Sequence, residues 1–549
     1  MLDNMTSNQR LILAVVLSFV FFLGYTTLFP PEQAEVSEPN ATQQSVALKQ
    51  SDKNAVTGSI PPKQSSVGHT VRADETVAKS VSNTLVSIES DQFTMQIDTL
   101  GRIASKVLKD EKYFNEDGEP SQLVPDFGAK PLYIRFADEA TNEASTRTAY
   151  SADVTSATLA DGQSVTITMT QVLPDVTVEK RVTFHSDGHY DVSINLSNEK
   201  RYFVYLGQRP QVSDQMMTVR GALVYTGDDM TTIFEDGDVE GRTSFTDVKL
   251  FSAFDQYFAS IFYGLKNEIT VYVERDRDDN PISYFDAPQH VEFNGYIGPK
   301  DYKVLKSADP VLVNAIEYGW FTFASAPLFQ LLLWLHGIFG NWGWAIVGLT
   351  LIIRAVLYPL TYKGMMGMQK IKEIAPKVKE VQAKYKGDPQ RMNAAVMDLY
   401  KKHGANPLGG CLPMLLQIPV FFAIYRVLLN AVELQGAEWI FWINDLSRMD
   451  QFYILPILMG ASMYYQQKMT PSNFTDPMQE KIFKFLPIIF TFFFLTFPSG
   501  LVLYWFVNNL FSIGQQLIVN KKFEAAKALR HEEHEAKKHH KGGKDHAED

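Results

Sequence analysis

The sequence predicts a multi-domain membrane protein: an α-helical part with six spans, joined to a large antiparallel β-domain of the sandwich type. Three observations predict it. Apolar runs of about bilayer length recur, one at residues 11–29 and the others after residue 343; about 20 residues at roughly 1.5 Å rise cross the ~30 Å hydrocarbon core. Between them, residues 84–302 hold short alternating runs separated by Gly, Asp, Asn and Pro, with no helical period of any length. Charge divides the same way. Residues 1–320 carry 27 Lys/Arg and 45 Asp/Glu, and residues 321–549 carry 24 and 17. An acidic, polar first part and a basic, aromatic-rich second part face different surroundings. The single cysteine, Cys411, excludes an intramolecular disulfide and a Cys-only metal site. No Cys occurs in the first thirty residues, which excludes an N-terminal lipoprotein anchor.

Residues 1–29 read as an uncleaved anchor. The run behind Arg10 is longer than a signal-peptide core and ends in Phe29-Pro30-Pro31 rather than a small-residue cleavage motif. Residues 30–83 are rich in Ser, Thr, Gln, Glu and Pro and nearly free of aromatics. They bury too little apolar surface to offset ordering entropy and read as a disordered tether.

Residues 84–320 form the β-domain. Runs such as FTMQI, SVTITMT, VTVEKRVTF and ITVYVE carry the period of two. No nucleophile elbow, phosphate loop or zinc spacing occurs there. His185 and His189 flank a Ser-Asp-Gly turn and read as exposed turn residues rather than ligands.

Residues 324–340 are expected to be an amphipathic helix in the membrane interface. Its apolar run, 327–339, is too short to span, and Trp320, Phe321, Phe323, Trp342 and Trp344 flank it. His336 on it reads as interfacial packing.

The chain is organised around the second span, residues 343–363. Arg354 sits at its middle, where a guanidinium costs roughly 2.5–3.5 kcal/mol on insertion scales and cannot discharge. Thr350, Arg354, Tyr358 and Thr361 share one helix face. Every Asp or Glu after Trp320 falls in a connection or the tail, so no apolar span supplies a carboxylate for Arg354. The favoured reading is an unpaired arginine in a hydrated cavity; the alternative is a structural one.

Residues 364–411 read as a cytoplasmic helical hairpin. From Lys363 to His403 there are ten Lys/Arg and four Asp/Glu. Ile371, Ile374, Val378, Val381 and Tyr385 form a seam with three- and four-residue spacing. Met392, Ala395, Val396 and Leu399 give the facing side, with Pro376 a kink site and Lys386-Gly387-Asp388-Pro389 the turn. Spans follow at 412–432, 452–467, 482–497 and 501–519, then a basic tail at 520–549. Placing the basic hairpin inside puts both termini in the cytoplasm and the β-domain outside. Gln417 adds a polar group to one span; Tyr504, Asn508, Ser512 and Gln515 or Gln516 form a polar stripe on the last.

The strings NPLGGCLPMLLQIP (406–419), YILPILMG (453–460), TDPMQ (475–479) and FPSGLVLY (497–504) resemble the YidC/Oxa1/Alb3 membrane insertases, most closely the Gram-negative branch. The likeness is dense from about Ala324 to Asn520 and weaker over the β-domain. It implies a five-helix insertase core plus the N-terminal anchor helix, and a periplasmic β-super-sandwich. It also implies a groove open to cytoplasm and lipid, whose arginine maps onto Arg354. The polar stripes read from the residues support that groove independently, with Thr350, Gln417, Tyr504, Trp505 and Asn508 as expected lining. Ile374 and Val381 are the expected functional positions of the hairpin. Implied partners are nascent membrane proteins, the Sec translocon and membrane lipids, in the bacterial inner membrane, with no cofactor and no metal. Trp505 departs from the tyrosine expected there, Thr99-Leu-Gly-Arg102 departs from a double glycine, and four residues precede Met5, where the family more often starts, which leaves Met1 and Met5 both open as the start.

The interleaved charges of the tail predict weak ribosome binding through rRNA phosphates; no DNA partner is expected. His531, His534, His539, His540 and His546 read as solvated rather than metal-binding. A solute or ion transporter is the competing class. It is disfavoured because neither an internal repeat nor a membrane carboxylate is found. An enzyme in the β-domain is disfavoured because no acid/base pair is recognisable.

Overall fold

A computed structural model describes residues 84–115, 118–213, 218–266, 269–318, 322–404, 407–469 and 477–542. The expected anchor, tether and extreme C-terminus lie outside the described residues, as do the side chains at 389, 407–416, 477–480, 531 and 533–542.

The β-part holds three sheets. Nine strands form the largest, in the order Thr231–Glu235, Gly221–Thr226, Val248–Phe254, Phe258–Tyr263, His290–Pro299, His189–Leu196, Thr177–His185, Ser164–Val172 and Ser151–Ala152. Five strands form the second and four the third. Pairing is antiparallel except between Thr84–Ser90 and Ser156–Leu159. The alternation that marks the strands in sequence becomes alternating burial: Val178, Lys180, Val182 and Phe184 point inward from one strand. Phe251, Phe262 and Phe293 of the nine-stranded sheet meet Phe285 of the five-stranded one, with Phe262–Phe293 centroids 4.8 Å apart. Such pairs contribute roughly 0.5–1.5 kcal/mol each beyond area burial.

A helix interrupts this part, against the expectation of none. Helix α1 is Glu139–Arg147, and Asp138 caps it by accepting from Thr141 N–H at 2.8 Å. Its buried residues are Thr141 and Ser145, so it carries no apolar period that a sequence reading can detect. Helix α2, Tyr302–Ala308, is capped by Asp301 and leads into a 3-10 turn, Pro310–Ala315.

Seven α-helices follow among the described residues: α3 (Thr322–Phe339), α4 (Trp342–Lys384), α5 (Pro389–Lys402), α6 (Pro407–Asn430), α7 (Ile454–Met469), α8 (Pro477–Phe494) and α9 (Ser499–Gly542), with a 3-10 turn at Val432–Leu434 after α6. By length and composition α3 and α4 could each cross a membrane. Helix α3 has 18 residues because it begins before the apolar run that looked too short to span. It buries Ser325, Phe329, Leu332 and Leu335 on one face and exposes Phe323, Trp334 and Ile338 on the other. An apolar face left outside marks contact with lipid or partner.

Helix α4 is one continuous element of 43 residues. It joins the arginine span to the first arm of the hairpin, with Pro359 and Pro376 inside it. Asn341 caps its start, accepting from Trp344 N–H at 3.1 Å. The turn into α5 uses Gly387 at φ +113°, which glycine adopts without a Cβ clash, and Asp388 caps α5 through Arg391 N–H at 3.1 Å. Ile374 and Val378 are the buried seam, covered by Ile371, Val396, Leu399 and Tyr400. Val381 is only half-buried and lies outside that cluster. The seam therefore centres one turn earlier than its spacing predicts. Helix α9 likewise runs unbroken from the last span into the tail.

The β-part is fastened to the helices. One apolar cluster runs from Leu223, Leu250 and Phe254 through Leu305 and Leu312 to Phe329, Leu428 and Leu501. Buried Gln256 donates to the Leu429 carbonyl at 2.8 Å, and Arg448 donates to the carbonyls of Phe114 and Asn115 at 3.1 and 3.2 Å. Glu433 accepts from Tyr302 N–H at 2.9 Å. Burial and, next, the nearby Asp301 push its carboxyl up to about 7.

Candidate functional site

Packing of α4 against α9 brings together the two polar faces that the sequence separates by about 150 residues. Arg354 is 5 % exposed. Its Nε donates to Asn508 Oδ1 at 2.6 Å and its Nη2 to the Asn508 carbonyl at 3.4 Å. No ion pair to Arg354 occurs among the described residues, in accord with the absence of carboxylates from the apolar runs. The charge is held instead by a neutral amide and a backbone carbonyl. Nη1 donates to no described residue.

The surroundings of this pair are polar and buried. Ser512, one turn beyond Asn508, donates to the same Asn508 carbonyl at 2.9 Å. Gln515 is 4 % exposed, yet its Oε1 and Nε2 have no partner among the described residues. An unpaired buried amide costs roughly 1–3 kcal/mol. Tyr504, one turn before Asn508, is buried. Farther along, Gln369 and Gln516 both donate to Asn520 Oδ1, at 2.6 and 2.7 Å. These bonds tie the hairpin arm of α4 to the end of the last span.

Not every expected residue joins this cluster. Thr350 is buried on the same face, but its hydroxyl donates to the Ile346 carbonyl of its own helix at 2.7 Å. Thr361 does the same, toward Leu357 and Tyr358. Gln417 is half-buried and shares no hydrogen bond with Arg354 or Asn508 among the described residues. Trp505 lies among aromatic rings. It packs on Phe421 of α6 at 4.8 Å and on Phe494 of α8 at 4.9 Å. Its ring thus links three helices and fills apolar space.

Several residues escape the sequence reading. Asn509 donates to Ser462 Oγ at 3.2 Å, joining α9 to α7. The adjacent amides Asn508 and Asn509 face two different helices. Gln369 continues the Arg354–Thr361 face two turns on, a periodicity that could have found it. Arg426 is a second cation inside an apolar helix, half-buried, and its Nη1 has no partner among the described residues. A search for carboxylates alone passes over it.

The arrangement offers a fixed cation and one unpaired amide, Gln515, between helices whose outer faces are apolar. Among the described residues it contains no nucleophile beside a base. Such an arrangement is chemically able to receive a polar or anionic group beside apolar surface.

Comparison with known proteins agrees with the resemblance seen in the motifs. Residues 334–527 match the 60Kd inner membrane protein family, and residues 85–331 match the YidC periplasmic domain family. The chain is 46 % identical to the membrane protein insertase YidC of Campylobacter jejuni over 540 residues, 98 % of each chain. It is 45 % identical to that of Wolinella succinogenes over 529 residues, covering 96 % of this chain and 97 % of the relative. The Helicobacter pylori insertase is 42 % identical over 555 residues, covering 96 % and 98 %. With antiparallel sheets over the periplasmic-domain match and apolar helices over the other, this chain belongs to the YidC family of inner-membrane protein insertases.

Proposed function

We propose that this chain inserts membrane proteins through a hydrophilic groove centred on Arg354, open to the cytoplasm and to lipid. The observation that carries this is the buried Arg354 bonded to Asn508 rather than to a carboxylate. A charge neutralised by a carboxylate is already satisfied; one held by an amide still attracts an anion. An incoming segment would bring its short polar flank to Arg354 and its apolar part along the outer faces of α6, α8 and α9. The flank then crosses less hydrocarbon, which lowers its desolvation cost. No bond is made or broken, and no cofactor is needed.

In this reading six spans place both termini in the cytoplasm: residues 11–29, 343–363, 412–432, 452–467, 482–497 and 501–519. The β-super-sandwich, 84–320, lies in the periplasm, and helix 324–340 lies in the membrane interface. Nascent membrane proteins are the clients. The Sec translocon is a partner for larger ones, lipids surround the groove, and the tail touches the ribosome weakly. Deleting the residues after Phe523 should reduce ribosome co-sedimentation at low salt.

The deciding experiment is reconstitution of the purified chain in liposomes. It should insert a small membrane protein without ATP, solute gradient or sugar turnover. Crosslinkers at Arg354, Gln417 and Trp505 should capture a stalled nascent chain. Solute flux without insertion would support a transporter instead.

A further inference from the structure

The outer face of the nine-stranded sheet carries a second polar constellation. Strands Thr177–His185 and His189–Leu196 are joined by Ser186-Asp187-Gly188, with Gly188 at φ +92°. The register that pairs Phe184 with Tyr190 and Thr183 with Asp191 sets His185 opposite His189. It also puts Asp191 on the same face as both, two residues beyond His189. The imidazole rings stack at 3.9 Å, 11° from parallel. His185 Nε2 lies 2.8 Å from Asp191 Oδ2, and His189 Nδ1 lies 2.5 Å from Asp187 Oδ1. One donor atom each from His185, His189 and Asp191 fall within 4.8 Å of one another.

We infer that this hairpin binds a divalent transition-metal ion of the zinc or copper type, with His185, His189 and Asp191 as ligands. Three features carry the assignment. Two imidazoles and a carboxylate form a borderline-soft donor set that suits Zn²⁺, Cu²⁺ or Ni²⁺ and not Ca²⁺ or Mg²⁺. The carboxylate of Asp187 takes the Nδ1 edge of His189, fixing the ring and leaving Nε2 for a metal. This is the carboxylate–histidine–metal arrangement that orients ligands in known sites. The frame is rigid: the ligands stand on paired strands with Tyr190 and Val192 buried beneath them. The side chains of His185 and His189 keep 27 % and 21 % of their surface, and Asp191 keeps 52 %, so an ion can enter. Two rings stacked 11° from parallel cannot both aim a nitrogen at one ion, so binding turns His185 out of the stack while Asp187 keeps His189 in place; donor atoms that lie within 4.8 Å of one another then close to the spacing of a metal shell. Water completes the shell, and the ion clips the two strands together beside their turn.

The test titrates the full-length chain in detergent with Zn²⁺, and separately with Cu²⁺. It compares wild type with His185→Gln/His189→Gln, with Asp191→Asn, and with a variant carrying Gln at tail positions His531, His534, His539, His540 and His546. Calorimetry should show one equivalent that the tail variant keeps and the hairpin double variant loses. Asp191→Asn should weaken it about tenfold or more, in the range of ligand-shell substitutions. Paramagnetic resonance of the copper form should show two imidazole nitrogens on one ion. Equal melting temperatures without metal will establish that the half-exposed substitutions leave the fold intact; if the double variant melts early, Asp191→Asn alone decides. Metal stoichiometry unchanged in the hairpin variants, or lost with the tail histidines instead, overturns the assignment.

Discussion

Arg354 on α4 and Asn508 on α9 meet through two hydrogen bonds, at 2.6 and 3.4 Å, across 154 residues of sequence. The pair neutralises nothing, yet it orients the guanidinium. One nitrogen is spent on the amide oxygen and the fork is aimed by the backbone. Each partner explains the other's tolerance for burial, since an amide oxygen alone at 8 % exposure would also lack a donor.

This pairing predicts a measurable coupling. Arg354→Ala, Asn508→Ala and the double variant should form a thermodynamic cycle with an interaction on the order of 1.5–3 kcal/mol, the range for hydrogen bonds to charged groups. Thermal unfolding in detergent reads it. Additive single effects would mean that the two residues do not interact in the membrane-embedded protein.

Charge should separate clients. Arg354→Lys should keep much of the insertion activity, because it retains position and charge. Arg354→Ala should fold, because no carboxylate is stranded, and should impair clients with acidic flanks more than clients with neutral ones. Two substrates differing only in flank charge make the comparison. Equal loss for both, together with loss of the protein itself, would identify Arg354 as structural.

The hairpin seam has a defined centre. Ile374→Asp with Val378→Asp places charges in the buried cluster and should reduce insertion while the protein still accumulates. Val381→Asp alone should stay near wild type, since that side chain is half-buried and outside the cluster. A stronger effect from Val381 than from Val378 would refute this assignment of the seam.

Glu433 makes the junction between β-part and helices sensitive to pH. Its carboxyl is raised from 4.5 to about 7. The folded state therefore binds more protons than the unfolded state between those values. The associated stability is complete below about pH 4.5 and is lost as pH rises through about 7, at up to ~1.4 kcal/mol per pH unit. Melting curves across this window should flatten in Glu433→Gln. An unchanged slope in the variant would remove Glu433 as the source.

Lys180 acts in the opposite sense. Burial pushes its ammonium from 10.5 down to about 7, although its Nζ donates to the carbonyls of Gly101 and Leu132 at 3.0 and 2.7 Å. The unfolded state binds more protons between these values, so stability rises with pH from about 7 to 10.5. Lys180→Met should reduce that rise by as much as one proton's worth, ~1.4 kcal/mol per pH unit. Melting at pH 7 and pH 9 checks it, and identical slopes would show that Lys180 stays charged in both states, hydrated in the fold.

Much of this was determined by sequence alone. A period of two marks strands because side chains alternate across a sheet whatever the sheet's partners. A charged residue in an apolar run identifies Arg354 because hydrocarbon penalises charge whatever surrounds it. The missing carboxylate is also a fact of sequence. Tertiary structure alone decided which polar groups meet. Helical period assigns Thr350, Arg354 and Asn508 to faces, but it cannot tell that Thr350 turns its hydroxyl to its own backbone while Asn508 faces the guanidinium. Nor can it tell that Trp505 packs on Phe421 and Phe494, since an aromatic stripe reads alike toward lipid, client or neighbour. Helix α1 was invisible for a related reason: its buried face is Thr and Ser, held by a cap rather than by apolar surface. The hairpin histidines lie four residues apart with no recognisable spacing, and only strand register stacks them and brings Asp191 beside them. Local periodicity follows from covalent geometry and is written in the chain; the choice of neighbour depends on packing between distant segments, and only the folded structure contains it.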